Sequence, residues 1–414
     1  MVSDEDSAAS DPTVLDLTAH FAEVTDPRID RCKQHTLLDI IGLTICAVIA
    51  GADTFTAIER FGRARRAWLE QFLELEGGIP SHDTLGRVWS RINPTEFEAG
   101  FRRWMADLTE GIEEVIAIDG KTLRSSYDRE SSKAALQMVN AWSCEQEVVL
   151  GQEAVPATTN ETKTLPPLLH LLELEGAIVT IDAAGCYAEV AEEILRAGAD
   201  YVITLKANQK HLYREAKALF DRLEAIGRLP EPHKSVDGGH DRVEVRRCWA
   251  LAVNNTDVNN TELNRESNTG ESNTEGWPGL STICRIQSER HHPDGSIETD
   301  GSIETDGSIE TDGSIETKER LFISSLEADP DQLLKAVRHH WHVENKLHWS
   351  LDVAFGEDES RVRTGHAAQN LGVVRRLALS LLKQETSRSQ GIAIKRKEAA
   401  WNPDYLLKVL TGGN

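Results

Sequence analysis

Val115-Ile116-Ala117-Ile118-Asp119-Gly120-Lys121 is the stretch on which the fold turns. Four apolar residues read as a buried strand that delivers a carboxylate, a glycine and a lysine at its carboxyl end. Ala177-Ile178-Val179-Thr180-Ile181-Asp182-Ala183-Ala184-Gly185 repeats the pattern. Two such strands paired in parallel set two carboxylates side by side on one sheet edge. Hard divalent cations take oxygen ligands and keep positions open for phosphate, so that edge suits a metal. Each Asp alone reads as a turn residue, because Asp-Gly and Asp-Ala-Ala-Gly commonly start turns. The pair, with a Glu-bearing helix far downstream, favours the metal reading.

Around this stretch, residues 113–215 alternate as strand, strand, strand, helix, strand, helix, strand. The further strands fall at 135–142, 147–155 and 201–206, and the helices at 165–175 and 187–197. Three meander strands followed by alternating helix and strand predict an α/β fold with a ribonuclease H-like catalytic core. Residues 112–233 form the first part of that core and 326–385 its C-terminal helices.

Upstream, residues 1–13 are expected to be disordered and 14–111 to form an all-α N-terminal domain that binds DNA. The run from Leu37 is apolar nearly all round, hence a buried helix. Asp53 is expected to cap the next helix, which carries Arg60, Arg63, Arg65 and Arg66 as a basic patch. That patch is either a solvated face or a DNA-phosphate contact. Ser81 is expected to cap a short helix with Arg87 and Arg91 one turn apart. It reads equally as a groove-reading helix or as a small packing helix.

Residues 234–325 read as a β-rich insertion, with strands at 242–253, 281–288 and 320–325. Within it, 254–276 is a low-complexity Asn/Thr/Glu/Ser tract. Residues 294–317 are four tandem copies of Asp-Gly-Ser-Ile-Glu-Thr. With one apolar residue per copy, the array is expected to be a dispensable acidic surface loop. Residues 386–414 read as a tail ending in a short helix near 405–410.

The totals set a constraint. The 414-residue chain has 40% apolar and 27% charged residues, an ordinary globular composition, but a formal net charge of −23. A nucleic-acid binder must therefore meet its substrate with local basic charge. The six cysteines are scattered without C-x-x-C spacing, which excludes a zinc ribbon or disulfide framework and predicts reduced thiols. No signal peptide is evident, and the run 37–52 is too short and too interrupted by Asp39 to span a bilayer. A cytoplasmic protein without membrane association is expected. No P-loop, G-x-S-x-G or H-E-x-x-H motif points to another enzyme class.

Arg338-His339-His340-Trp341-His342-Val343-Glu344-Asn345-Lys346-Leu347-His348-Trp349 is the most chemically loaded helix. On a 3.6-residue period Glu344 shares a stripe with Val337, Trp341, Leu347 or His348, and Leu351, so it is expected to be buried against the protein body. An unpartnered buried carboxylate is costly, and a metal shared with Asp119 and Asp182 would supply the partner. Asp352, Glu357 and Asp358 are rival third carboxylates. His340, Glu344 and His348 also stack at four-residue steps, as zinc ligands would.

These stretches resemble the DDE transposases of the insertion-sequence As1 group, the H-repeat-associated proteins. The likeness is carried by Asp26-Pro27-Arg28, Ile79-Pro80-Ser81-His82-Asp83-Thr84, Ala117-Ile118-Asp119-Gly120-Lys121, Thr180-Ile181-Asp182-Ala183, Leu205-Lys206-Ala207-Asn208-Gln209 and His340-Trp341-His342-Val343-Glu344-Asn345. It covers about residues 14–385, interrupted by 254–317, and extends through Leu347 to Asp358 and Asn370 to Lys383. The resemblance implies a catalytic triad of Asp119, Asp182 and Glu344 holding two Mg²⁺ (or Mn²⁺). It implies double-stranded DNA as partner, both terminal inverted repeats and target, with a homodimer on paired ends. Lys121 and Lys206 would contact phosphate. The Tyr-x₂-Arg-x₃-Glu-x₆-Lys signature of neighbouring groups is not kept, since those offsets from Glu344 give Val337, His340 and Leu351. Arg338, His340 or Lys346 would substitute. Two other functions stay open: a ribonuclease H-like nuclease without strand transfer, and an inactive or domesticated DNA-binding protein.

Overall fold

The computed structural model describes residues 17–30, 33–109, 114–127, 134–156, 161–239, 242–253, 277–291, 309–312 and 315–412. Its strands are β1 (Val115–Leu123), β2 (Leu136–Ser143), β3 (Val148–Val155), β4 (Ile178–Ile181), β5 (Asp200–Leu205), β6 (His233–Gly239), β7 (Arg242–Ala252), β8 (Thr282–His291), β9 (Ile309–Asp312) and β10 (Ile315–Ser324). They join one mixed sheet in the order β3-β2-β1-β4-β5-β10-β8-β7-β6, with β9 beside β10. β1 runs parallel to β4, and β4 to β5. The β-rich segment read as an insertion therefore extends the core sheet. β10 pairs antiparallel with β5, Leu321 opposite Leu205 through Ser324 opposite Val202, and covers what would otherwise be an open edge.

Side chains alternate between the two sheet faces. Val115 and Ala117 enter one hydrophobic core, with Val202, Cys284 and Phe322 and the helices Leu37–Ile49, Pro330–His342 and Ala367–Gln384. Ile116 and Ile118 enter the other, with Val179, Ile181 and Ile203 and the helices Glu161–Leu169, Ala188–Arg196 and Lys210–Ala225. The sheet is thus sandwiched between two helical layers, and the helices of the N-terminal region share the first core with those near the C-terminus. The helix Leu37–Ile49 is buried along its length. Its one acid, Asp39, is stabilised there by accepting from the amides of Glu74 (3.0 Å) and Leu75 (3.2 Å).

Several local expectations need correction. Thr54, not Asp53, caps the helix Phe55–Leu69, accepting from the Ala57 amide at 3.2 Å, while Asp53 pairs with Arg396 at 2.6 Å. The helix expected over 165–175 runs from Glu161 to Leu169. It then tightens into i→i+3 turns, Leu171 donating to Leu168 and Leu172 to Leu169. Of the hexapeptide array, residues 294–308 lie outside the described residues. Residues 313 and 314 lie outside them too, but Ile309–Asp312 pairs antiparallel with Ile315–Lys318 and so is strand where a loop was expected. Asp-Gly-Ser between two short Ile-Glu-Thr runs carries the hairpin signal that a low apolar content obscured.

Beyond residue 385, read as a tail, Ile392–Trp401 and Pro403–Leu410 fold back, burying Ala399, Tyr405, Leu406 and Val409 in the first core. The disordered segment expected over 1–13 and the tract 254–276 lie outside the described residues. Cys46, Cys144, Cys186, Cys248 and Cys284 are buried free thiols. Among the described residues no helix is long and apolar enough to cross a membrane.

Candidate active site

The alternation that sends Val115 and Ala117 toward the first core sends Asp119 and Lys121 the same way. β4 follows the same parity. With Ile118 opposite Ile181, the next residues are Asp119 on β1 and Asp182 just past the end of β4. β1 does not end at Asp119, as the sequence reading had it. It continues to Leu123 because β2 pairs along its whole length, from Ile116–Ser143 to Leu123–Leu136. β4 does stop at Ile181, where Asp182 turns the chain by accepting from the Ala184 amide at 2.9 Å. Asn208 donates to the Ala183 carbonyl (2.7 Å) and Gln209 to the Cys186 carbonyl (2.8 Å), so the turn after β5 holds the turn after β4.

Over this face lies the helix Pro330–His342. It passes into a π-helical turn, Val343–His348, in which the Trp349 amide donates to the Glu344 carbonyl five residues back, and then into Trp349–Phe355. One cleft opens between helix and sheet, lined by Asp119, Thr180, Asp182, Thr204, Lys206, Arg320, His340, Trp341 and Glu344 among others. Three carboxylates from segments far apart in sequence meet there. Glu344 is not buried as expected; its side chain is 53% exposed at the cleft mouth. The π turn carries an extra residue and breaks the 3.6-residue register on which the stripe was drawn. Glu344 lies with His348 and not with Leu351.

Asp119, Glu344 and His348 bring donor atoms within 4.8 Å of one another. His348 Nδ1 is 3.5 Å from Asp119 Oδ2 and 3.6 Å from Glu344 Oε2. The imidazole beside it holds the Glu344 carboxyl below its ordinary range, against a partial burial that acts the other way. Burial pushes the His348 imidazole down, and pushes that of His340, whose Nδ1 lies 3.1 Å from Thr180 Oγ1, to about 4. Near neutral pH both rings are uncharged, which suits ligation or hydrogen bonding but not pairing with phosphate. The donor set is rich in oxygen, as a divalent metal requires. Of the rival carboxylates, Asp352 binds Lys121 at 2.7 Å and Glu357 is buried against Arg376 at 2.9 Å. Asp358 lies 3.3 Å from Arg124.

The residues expected at DNA separate into groups. Lys206 and His340 line the cleft. Lys121 is not among the residues lining the cleft: its side chain is 7% exposed and bound to Asp352, because strand parity points it inward beside Asp119. Arg338 pairs with Asp237 at 3.0 Å and Lys346 with Glu147 at 2.5 Å. On the helix Phe55–Leu69, Arg60 is exposed, Arg63 pairs with Glu59, Arg66 with Glu70, and Arg65 donates to the Ala400 carbonyl at 2.6 Å. Ser81 caps His82–Trp89 as expected, and Arg87 and Arg91 are exposed. Arg375, Arg376, Lys395 and Arg396 are buried. Sequence reasoning gave no site role to Thr180, Arg320 or Trp341, while His348 entered it only as one of three possible zinc ligands. Strand parity would have found Thr180, whereas Arg320 follows the repeats and carries no local signal.

Residues 110–381 match the transposase DDE domain, and residues 18–105 match the associated region described as DDE_Tnp_1-associated. The chain belongs to the DDE transposase family: it is an enzyme of DNA transposition, and that domain carries a dependence on divalent metal. Among its relatives is the "H repeat-associated putative transposase YhhI" of Escherichia coli K12, 34% identical over 96% of this chain and 98% of its own. Another is the "Putative transposase YncI" of Escherichia coli O157:H7, 35% identical over 96% and 95%. Among solved structures, the piggyBac transposase synaptic complex with hairpin DNA aligns at 12% identity and a TM-score of 0.43, over 97% of this chain and 80% of that one.

Proposed function

We propose that Asp119, Asp182 and Glu344 are the catalytic carboxylates of this transposase, on a ribonuclease H-like core formed by β1 to β5. The observation that carries the reading is their meeting in one cleft, Asp119 from β1, Asp182 from just past the end of the parallel β4, and Glu344 from a helix over 160 residues later. The strand order β3-β2-β1-β4-β5, with only β1, β4 and β5 mutually parallel, supports the core assignment. Two Mg²⁺ or Mn²⁺ ions held by these carboxylates would supply Lewis-acid charge at the attacking and leaving oxygens of an in-line displacement. Lys206 contributes positive charge at the cleft wall, and Trp341 and Arg320, stacked at 4.7 Å, form its rim. Hydrolysis at the element ends frees a 3′-hydroxyl, which then attacks target DNA. Arg60, Arg87 and Arg91 are left as exposed phosphate contacts on the N-terminal helices. The enzyme works in the cytoplasm as a homodimer on paired ends.

The test is cleavage of labelled DNA carrying the flanks of this reading frame, in Mg²⁺ or Mn²⁺. Nicks at the ends are expected from the unsubstituted protein, and a loss of at least about a thousandfold in Asp119→Ala and Glu344→Gln. Equal cutting by the variants sinks the triad.

A further inference from the structure

His348 has no role among the three carboxylates, yet its position is specific. It is 6% exposed, on the π turn, with Nδ1 directed between Asp119 and Glu344. At 3.5 and 3.6 Å both contacts are longer than good N–H···O hydrogen bonds. Nε2 is buried with no hydrogen-bond partner. Nε2 is unmatched in either neutral tautomer, whether or not Nδ1 binds a cation, while the two Nδ1 contacts are too long to account for the ring as good hydrogen bonds. These spacings lie just beyond the about 3.0–3.4 Å that separates ligand atoms sharing one cation with bonds of about 2.1 Å, so small side-chain shifts would close the shell. Asp182 stands outside this cluster while lining the same cleft.

We propose that His348 Nδ1 ligates one of the active-site cations directly, together with Asp119 and Glu344. The inference rests on the carboxylate reading above and deepens it. That cation has a mixed nitrogen and oxygen shell, whereas one held beside Asp182 would have oxygen ligands alone. An imidazole ligand biases the His348 position toward Mn²⁺ over Mg²⁺.

The test is pulsed electron paramagnetic resonance of the full-length protein with substoichiometric Mn²⁺. Nitrogen modulation from a directly bound imidazole is expected, and it should vanish in His348→Gln with Mn²⁺ affinity weakened at least about tenfold. His340→Gln, which alters the other histidine of the cleft, should keep the modulation. Mn²⁺ bound tightly without nitrogen coupling, but lost in Asp119→Asn, would overturn the histidine assignment and leave the carboxylate site standing. Mn²⁺ binding unaffected by Asp119→Asn would overturn both.

Discussion

At the scale of single residues, Lys121 and Glu98 show how burial reassigns a charge. Lys121 follows the catalytic strand in sequence and suggests a phosphate contact, but strand alternation drives it under the helix to Asp352 and Asp358. Lys121→Met should lower stability by about 1–3 kcal/mol, since Asp352 and Asp358 are partly hydrated and a fully buried pair would cost more. Adding Asp352→Asn should recover part of the loss; urea melts of the two variants check this. Glu98 is buried at the contact with β3, where one oxygen accepts from the Gln152 amide (3.0 Å) and the other has no partner. Desolvation pushes its carboxyl up to about 8. The folded state thus holds a proton that the unfolded chain releases near 4.5, so this group's stabilising contribution falls as pH rises from 4.5 to about 8. Glu98→Gln should flatten that decline, measured as unfolding free energy against pH. An unchanged slope would mean the carboxyl is solvated or paired in solution.

At the scale of elements, the π turn at Val343–His348 decides the site. A regular helix would place Glu344 on the apolar stripe of Val337, Trp341 and Leu351. The wide turn keeps Glu344 beside His348 at the cleft and takes it off the line of Leu351, leaving Leu347 and Leu351 in the core. Deleting Asn345, exposed on that turn, should let residues 330–355 run as one α-helix and rotate the following segment by about 100°. Asp352 would then leave Lys121, and His348 would leave Asp119. DNA cleavage should be lost with helical circular dichroism nearly unchanged; retained cleavage would show that the turn is incidental.

At the scale of the molecule, the two ends of the chain complete each other. Arg396 donates to the Val48 carbonyl at 2.7 Å and pairs with Asp53, and Lys395 donates to the Leu382 carbonyl at 2.9 Å. Tyr405 donates to Glu385 at 2.8 Å. Ending the chain at residue 390 would strip apolar cover from the helices Leu37–Ile49 and Ala367–Gln384 and leave the buried Glu385 without Tyr405. The truncated protein should lose more than about 5 kcal/mol and fail to melt cooperatively. A cooperative melt near that of the full chain would show the segment to be a tail after all.

What the sequence determined is whatever a short window contains. Apolar runs ending in Asp located β1 and β4, and strand and helix alternation located the mixed α/β core. Clustered motifs located the transposase family. These signals survive because period and residue type are local properties of the chain. What only the tertiary structure decided depends on partners distant in sequence. Pairing of β10 with β5 merged the supposed insertion into one sheet, and strand parity buried Lys121. Packing of Ile392–Leu410 on the first core turned a tail into structure, and packing of the helix over the sheet set His348 beside Asp119. Each of these is settled by which surfaces and charges can satisfy one another once the chain is folded, and no window of sequence holds both members of the pair.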